Sequence, residues 1–195
     1  EFSGSGECEK VPALRDFTPG QAHRVPSFAA CESQGYVWVY TQADSSPHCE
    51  PYQFPHLNDK SYVHVHYQAD FSASLHATAE NILDVPHTAF LHKGLFRGGE
   101  PNRIRTEVRL YSDRVECEFF DESRPSGLLG KILAPGGGDQ MIHCDRFILP
   151  SVAQVEYKMG HRGHLVTTSS LSPVDSGKTR MYAVVSVRKT FWLQM

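Results

Sequence analysis

The residues from Ala79 to His92 set several metal-binding groups into an apolar background. This fourteen-residue stretch, AENILDVPHTAFLH, carries Asn81, Asp84, His87 and His92. Neutral imidazole is a ligand for zinc, copper, iron and nickel. The residue types are therefore compatible with a metal site. The alternative is a buried helix whose histidines are satisfied by hydrogen bonds and whose Asp84 caps a turn.

The spacing restricts how these groups could meet at one ion. Asp84 and His87 are three residues apart and would share a helix face, whereas His87 and His92 would lie about 140° apart on a straight helix. Pro86 lacks an N–H and disfavours the α conformation at Val85. We therefore predict a break, or a fresh helical start, near Val85 that could bring both imidazoles together. The spacing differs from the zinc-protease pattern, in which two histidines lie four residues apart.

The full pattern Asn81-x2-Asp84-x2-His87-x4-His92 resembles the iron-binding signature of Rieske non-haem iron oxygenases, which hydroxylate aromatic rings or remove O-methyl groups. The resemblance implies that His87 and His92 are ligands of a mononuclear Fe(II) in a site with two histidines and one carboxylate. It also implies that Asn81 lines the site. Asp84 would contact a cluster histidine of the neighbouring subunit and orient His87.

The third iron ligand is not evident. The resemblance implies a carboxylate on a helix more than a hundred residues beyond the second histidine, and only 103 residues follow His92. Asp145, Glu156 and Asp175 occur in strand-like or turn-like surroundings. We therefore expect the third ligand to lie outside this chain.

The family also carries a [2Fe–2S] cluster held by two cysteines and two histidines, in a Cys-x-His and a Cys-x2-His pair. Neither pair occurs in this sequence, and His48-Cys49 and His143-Cys144 have the wrong spacing. We therefore expect that intact members of the family hold a [2Fe–2S] cluster. The ligands of this cluster are absent from this sequence. On this interpretation the chain is a fragment, without oxygenase turnover on its own.

Two N-terminal features extend the resemblance. Cys8 to Ala13 is similar to the segment that follows the cluster motif, although residues 1–6 could instead be a cloning-derived linker. Residues 36–40 (YVWVY), after the turn at Gln34-Gly35, predict a short strand that closes a Rieske domain. Prolines punctuate residues 43–58. We expect residues 1–45 to be the end of a Rieske domain and residues 46–195 to be part of a catalytic domain.

The remaining pattern is mostly that of β-strands. We predict strands at 60–72, two between 103 and 120 around a turn at 111–114, and four at 147–149, 152–159, 164–171 and 179–192. His161 and His164 are expected as exposed turn residues. With the helical metal segment, this predicts an α+β fold. The resemblance implies an antiparallel, helix-grip-like catalytic domain preceded by a β-rich Rieske remnant.

Composition excludes several function classes. The net charge of −3 does not favour nucleic-acid binding, and no apolar run approaches the ~18 residues of a membrane span. The N-terminus has no signal-peptide pattern. Five cysteines, an odd number without a Cys-x2-Cys pair, fit a reducing cytoplasm.

The resemblance implies an oxygenase component that uses O2 on a hydrophobic aromatic or alicyclic substrate. Its partners would be a ferredoxin or flavin reductase as electron donor and two further copies in a homotrimer. Two alternatives remain open: a metal-free helix-grip module that binds a hydrophobic small molecule, and a zinc hydrolase. A run of arginines is either a solvated strand face or a docking patch for an acidic electron-transfer partner: Arg97, Arg103, Arg105, Arg109 and Arg114.

Overall fold

The structure, a computed structural model, describes residues 1–16, 18–87, 104–120, 141–160 and 163–189. The chain divides into two compact units, Glu1–Gln53 and Phe54–Met195. This division falls inside the proline-punctuated connection of residues 43–58. The predicted identities of the two domains remain predictions.

The first unit contains a 3-10 helix, Gln21–His23, and a hairpin of β1 (Ala30–Ser33) and β2 (Tyr36–Val39). The strands pair antiparallel, with Ser33 opposite Tyr36. Gln34 and Gly35 between them both have positive φ, at 58° and 81°. Two such residues make the tight connection whose twist matches that of paired strands. The predicted turn and strand are both confirmed.

The second unit consists of one antiparallel sheet and a helix. Its elements are β3 (Tyr62–Phe71), α1 (Leu75–Leu83), β4 (Arg105–Leu110), β5 (Arg114–Phe120), β6 (Met141–Ile148), β7 (Val152–Met159), β8 (Gly163–Asp175) and β9 (Lys178–Arg188). The strand order is β3-β9-β8-β7-β6-β5-β4. β4 to β9 therefore form a meander, while β3, which precedes the helix, lies beside the last strand. The antiparallel α+β fold is as predicted.

Helix α1 packs on one side of this sheet. Ala79 of the helix forms a buried cluster with Leu171, Met181 and Ala183 of β8 and β9. Alternate residues of a strand point to opposite sides, so this cluster defines the helix-facing side of the sheet. Leu171 is 2% exposed, and full burial of such a side chain contributes roughly 1.5–3 kcal/mol. This packing fixes the helix that carries Asn81.

Two strand predictions were wrong in extent. The strand predicted at 147–149 begins at Met141 and ends at Ile148, and the strand predicted to end at Leu171 runs to Asp175. In the first case two polar residues, His143 and Asp145, occupy buried positions. They interrupt the alternation of apolar and polar residues from which the start of a strand is predicted. In the second, β8 pairs with β9 as far as Asp175 opposite Lys178, with a bulge after Pro173. The predicted loop at 122–140 and the end of the last strand lie outside the described residues.

Candidate functional site

The candidate metal segment starts with α1. Ser74 caps its N-terminus, and the Ser74 hydroxyl accepts a hydrogen bond from the Ala77 backbone N–H at 3.2 Å. The helix ends at Leu83, because Asp84 has a non-helical ψ of 87°. Helical conformation resumes at residues 85–87. The predicted break near Val85 is therefore confirmed, but it lies at Asp84, and Val85 itself is helical, contrary to the expected effect of Pro86.

The break places the His87 imidazole next to Asp84. Nδ1 of His87 lies 2.5 Å from the backbone oxygen of Asp84 and 3.8 Å from the carboxylate Oδ2. The imidazole is mostly buried, with 15% of its side chain exposed, whereas half of the Asp84 side chain is exposed. A neutral imidazole whose Nδ1 donates to a carbonyl carries its lone pair on Nε2. The arrangement thus selects the tautomer suited to coordination through Nε2.

An open cleft of about 710 Å³ runs along α1. Asn81 and Asp84 are on its wall, and Phe147 of β6 closes it from the sheet side. The other lining residues come from the helix: Leu75, His76, Ala79, Glu80 and Leu83. The cleft therefore combines apolar residues with polar ones, which include the two that the sequence pattern selected.

His92, the second predicted ligand, lies outside the described residues, as does His161. Within the ranges that are described, no group of three or more His, Cys, Asp or Glu side chains could hold a metal ion. Among the predicted site residues, the structure therefore brings together Asp84 and His87, with Asn81 on the wall of the neighbouring cleft.

The sheet carries a polar pair that the sequence analysis did not select. His143 and Asp145 of β6 are 0% and 4% exposed, and Nε2 of His143 lies 2.8 Å from Oδ1 of Asp145. Both point to the helix-facing side, because they alternate with Phe147 along the strand. Cys117 lies opposite Asp145 on β5. Burial, and then the negative charge of Asp145, raises the pKa of the Cys117 thiol.

A second polar network lies on the opposite side of the sheet. Nε2 of His164 lies 2.8 Å from Glu156, and Nδ1 of His164 bonds to the Tyr62 hydroxyl. His164 is 6% exposed, so the prediction of an exposed turn residue was wrong. β8 begins at Gly163 and already pairs His164 with Lys158. The sequence could not show this, because Tyr62 is far from His164 along the chain.

The same side of the sheet carries the described arginines of the predicted basic run, and two of them are ion-paired. Arg109 bonds to Glu107 and Glu118, and Arg114 bonds to Asp113 and Glu116. The Arg105 guanidinium lies 4.3 Å from the centre of the Phe120 ring. For Arg109 and Arg114 the ion pairs favour a solvated strand face over a docking patch. Arg97 and Arg103 lie outside the described residues.

Two further expectations bear on the environment of the chain. All five cysteines fall within the described ranges and are free thiols. In the described part of the chain, no helix is long and apolar enough to cross a membrane.

Known proteins resemble this chain in sequence and in fold. Residues 71–194 match the family of vanillate O-demethylase oxygenase C-terminal domains. Over 212 aligned residues the chain is 21% identical to aminopyrrolnitrin oxygenase PrnD of Pseudomonas fluorescens, covering 96% of this chain and 56% of that protein.

Solved structures resemble the fold at low sequence identity. Dicamba monooxygenase bound to dicamba superposes with a TM-score of 0.76 at 18% identity, over 99% of this chain and 58% of that one. NdmB of Pseudomonas putida CBB5 gives 0.73 at 18% identity, over 97% and 52%. The chain therefore spans little more than half the length of these relatives. Because the family match covers most of the chain and includes the His87 motif, the chain belongs to the vanillate O-demethylase oxygenase C-terminal domain family of Rieske non-haem iron oxygenases.

Proposed function

We propose that this chain supplies the substrate and iron site of a Rieske-type oxygenase that hydroxylates or demethylates a hydrophobic aromatic or alicyclic compound with O2. The observation that carries the proposal is the contact of His87 Nδ1 with the Asp84 carbonyl at the break after α1. This contact prepares one imidazole for metal coordination, beside a cleft with apolar walls. The family match supports oxygenase chemistry over the metal-free binding module and the zinc hydrolase.

The residues of the segment fit Fe(II). His87 would coordinate through Nε2, and His92 would be the second histidine ligand in the family pattern. When bound, Fe(II) supplies the redox chemistry that activates O2. The protein's own part is to orient the His87 ring through the Asp84 main chain and to hold an apolar substrate against Leu83 and Phe147.

Electrons would enter from a [2Fe–2S] cluster, since the family is of the Rieske type. We propose that the half-exposed carboxylate of Asp84 contacts a cluster histidine of a neighbouring subunit in a homotrimer. A ferredoxin or flavin reductase would donate the electrons to that cluster. Five free thiols support a cytoplasmic location.

Anaerobic titration with Fe(II) tests the iron assignment. We expect His87→Ala to weaken Fe(II) binding at least tenfold, because one of two histidine ligands is lost. His66→Ala is the matched control, since His66 is an exposed histidine on β3 whose position in the strand places it on the opposite side of the sheet. The assignment fails if His87→Ala holds Fe(II) as tightly as the parent chain.

A further inference from the structure

His56 has an uncommon backbone conformation in the segment that leads into β3. Its φ of 61° lies in the left-handed region, which residues with a Cβ rarely adopt. Hydrogen bonds then close the chain into a turn: the Asp59 N–H donates to the His56 carbonyl oxygen at 2.8 Å, and the Tyr62 N–H donates to that of Asp59 at 3.0 Å. Because such a conformation costs free energy, it persists only where the surrounding contacts hold it.

Two aromatic rings of the sheet provide these contacts. The His56 ring lies flat on Tyr62 of β3, with 4.2 Å between the ring centres and 7° between the planes, and it meets the ring of His164 of β8 edge-on at 5.1 Å. Phe54 is buried before the turn, and Tyr62 is buried after it. His56 therefore fastens the residues between these two anchors, the entry segment (residues 55–61), to the side of the sheet away from α1.

The surroundings of His56 oppose a positive charge on its ring. The titratable and charged groups that face it come from the entry segment, β3, β7, β8 and β9: Asp59, Tyr62, Glu156, His164 and Arg188. Burial has the largest effect, followed by the charge of a protonated His164, and Arg188 acts in the same direction. Together they outweigh the carboxylates of Asp59 and Glu156, so the pKa of His56 lies below its ordinary value of 6.5. The Arg188 guanidinium already lies 5.4 Å from the centre of the Tyr62 ring, so a second cation on that ring is disfavoured.

We propose that the entry segment is an acid-sensitive latch, which the neutral His56 ring holds closed on Tyr62 and His164 and which opens when that ring is protonated. The neutral form is the one favoured in the closed segment, so closure is complete above about pH 6.5 and weakens as the pH falls below that value. Opening relieves the left-handed conformation of His56 and exposes the ring of Tyr62. The latch lies across the sheet from α1, so the inference does not depend on the proposed iron site.

Amide hydrogen exchange, followed by mass spectrometry on the parent chain, tests the latch. The amides of Asp59 and Tyr62 report on it, because both donate to carbonyl oxygens of the turn. We expect their protection factors, corrected for the intrinsic effect of pH on exchange, to be at least about fivefold lower at about pH 5.5 than at about pH 7.5. Amides of β7 should keep their protection over this range, because Glu156 stays ionised above pH 4.5.

Two variants separate the charge of His56 from the packing of its ring. His56→Phe keeps an aromatic ring on Tyr62 but takes up no proton, so the entry segment should stay protected at both pH values. His66→Phe is the matched control, since His66 is an exposed histidine on the same side of β3 as Tyr62. It should keep the pH dependence of the parent chain.

Each outcome decides the inference. Protection that is unchanged or greater in acid overturns it from the parent chain alone, whether or not the variants fold. A pH-dependent loss that persists in His56→Phe overturns it as well, because another group, such as His164, would then be the sensor. NMR titration of the His56 ring in the parent chain gives a second measurement. Its midpoint should coincide with that of the loss of protection, and a difference of more than about one pH unit contradicts the latch.

Discussion

The imidazole Nδ1 of His87 and the backbone oxygen of Asp84 lie 2.5 Å apart across the break that ends α1. The carboxylate of the same aspartate is 3.8 Å from Nδ1, and half of it is exposed. The main chain of Asp84 thus orients the histidine, and the side chain is left available for a contact elsewhere. The two proposed roles of Asp84 therefore belong to different atoms and can be separated by mutation.

Asp84→Asn should separate them. The substitution keeps the backbone carbonyl. We therefore expect Fe(II) affinity to fall by less than the roughly 10–100-fold loss that follows removal of a residue that orients a metal ligand. Electron transfer from the neighbouring cluster should fall sharply, measured as the rate of NADH-dependent product formation in an assembly that supplies the cluster. Normal coupled turnover in Asp84→Asn would contradict the proposed contact between subunits.

The N-terminal cap of α1 should contribute measurably to stability. Ser74→Ala removes the hydroxyl that accepts from the Ala77 N–H, and loss of such a cap costs about 0.5–2 kcal/mol. We expect the free energy of unfolding, measured by urea denaturation, to fall by this amount. Ser74→Asp retains a capping oxygen and should remain close to the parent. Equal loss in both variants would show that the hydroxyl acts in another way.

Part of this structure could be predicted from residues that are neighbours in sequence. Pro86 lacks an N–H, so a helical break near it could be inferred from the sequence, although the non-helical residue is Asp84 and not Val85. The alternation of Tyr62 to Phe71 and the Gln34-Gly35 turn likewise depend on neighbours in sequence. These features, and the order of strands along the chain, needed no knowledge of distant contacts.

Contacts between distant residues were not predictable in this way. His164 was predicted as a turn residue because it directly follows the Gly160–Gly163 turn, yet its partners Tyr62 and Glu156 come from two other strands. His143 and Asp145 are polar, and nothing in their spacing indicates that they are buried. Their burial depends on pairing with each other and on the rings of residues from neighbouring strands. A polar residue is buried when its partner is present, and sequence spacing does not reveal partners across a sheet.

Glu156 is the centre of the network on the side of the sheet away from α1. Its carboxylate, 12% exposed, lies 2.8 Å from His164 Nε2, 2.7 Å from Arg146 Nη1 and 2.9 Å from Lys158 Nζ. Burial alone would raise the pKa of Glu156. Hydrogen bonds from these three partners outweigh that effect and hold the pKa well below its ordinary value of 4.5.

The stability of the protein should therefore depend on Glu156 in acid. Because its pKa is lower in the folded chain than in the unfolded chain, its contribution is complete above about pH 4.5 and is lost as the pH falls below that value. Glu156→Gln should cost roughly 1–3 kcal/mol of unfolding free energy at pH 7, and the gap to the parent should narrow toward pH 3 in urea denaturation. Glu107→Gln removes a half-exposed partner of Arg109 and should cost under about 1 kcal/mol. A gap between Glu156→Gln and the parent that stays constant from pH 7 to pH 3 would contradict the lowered pKa.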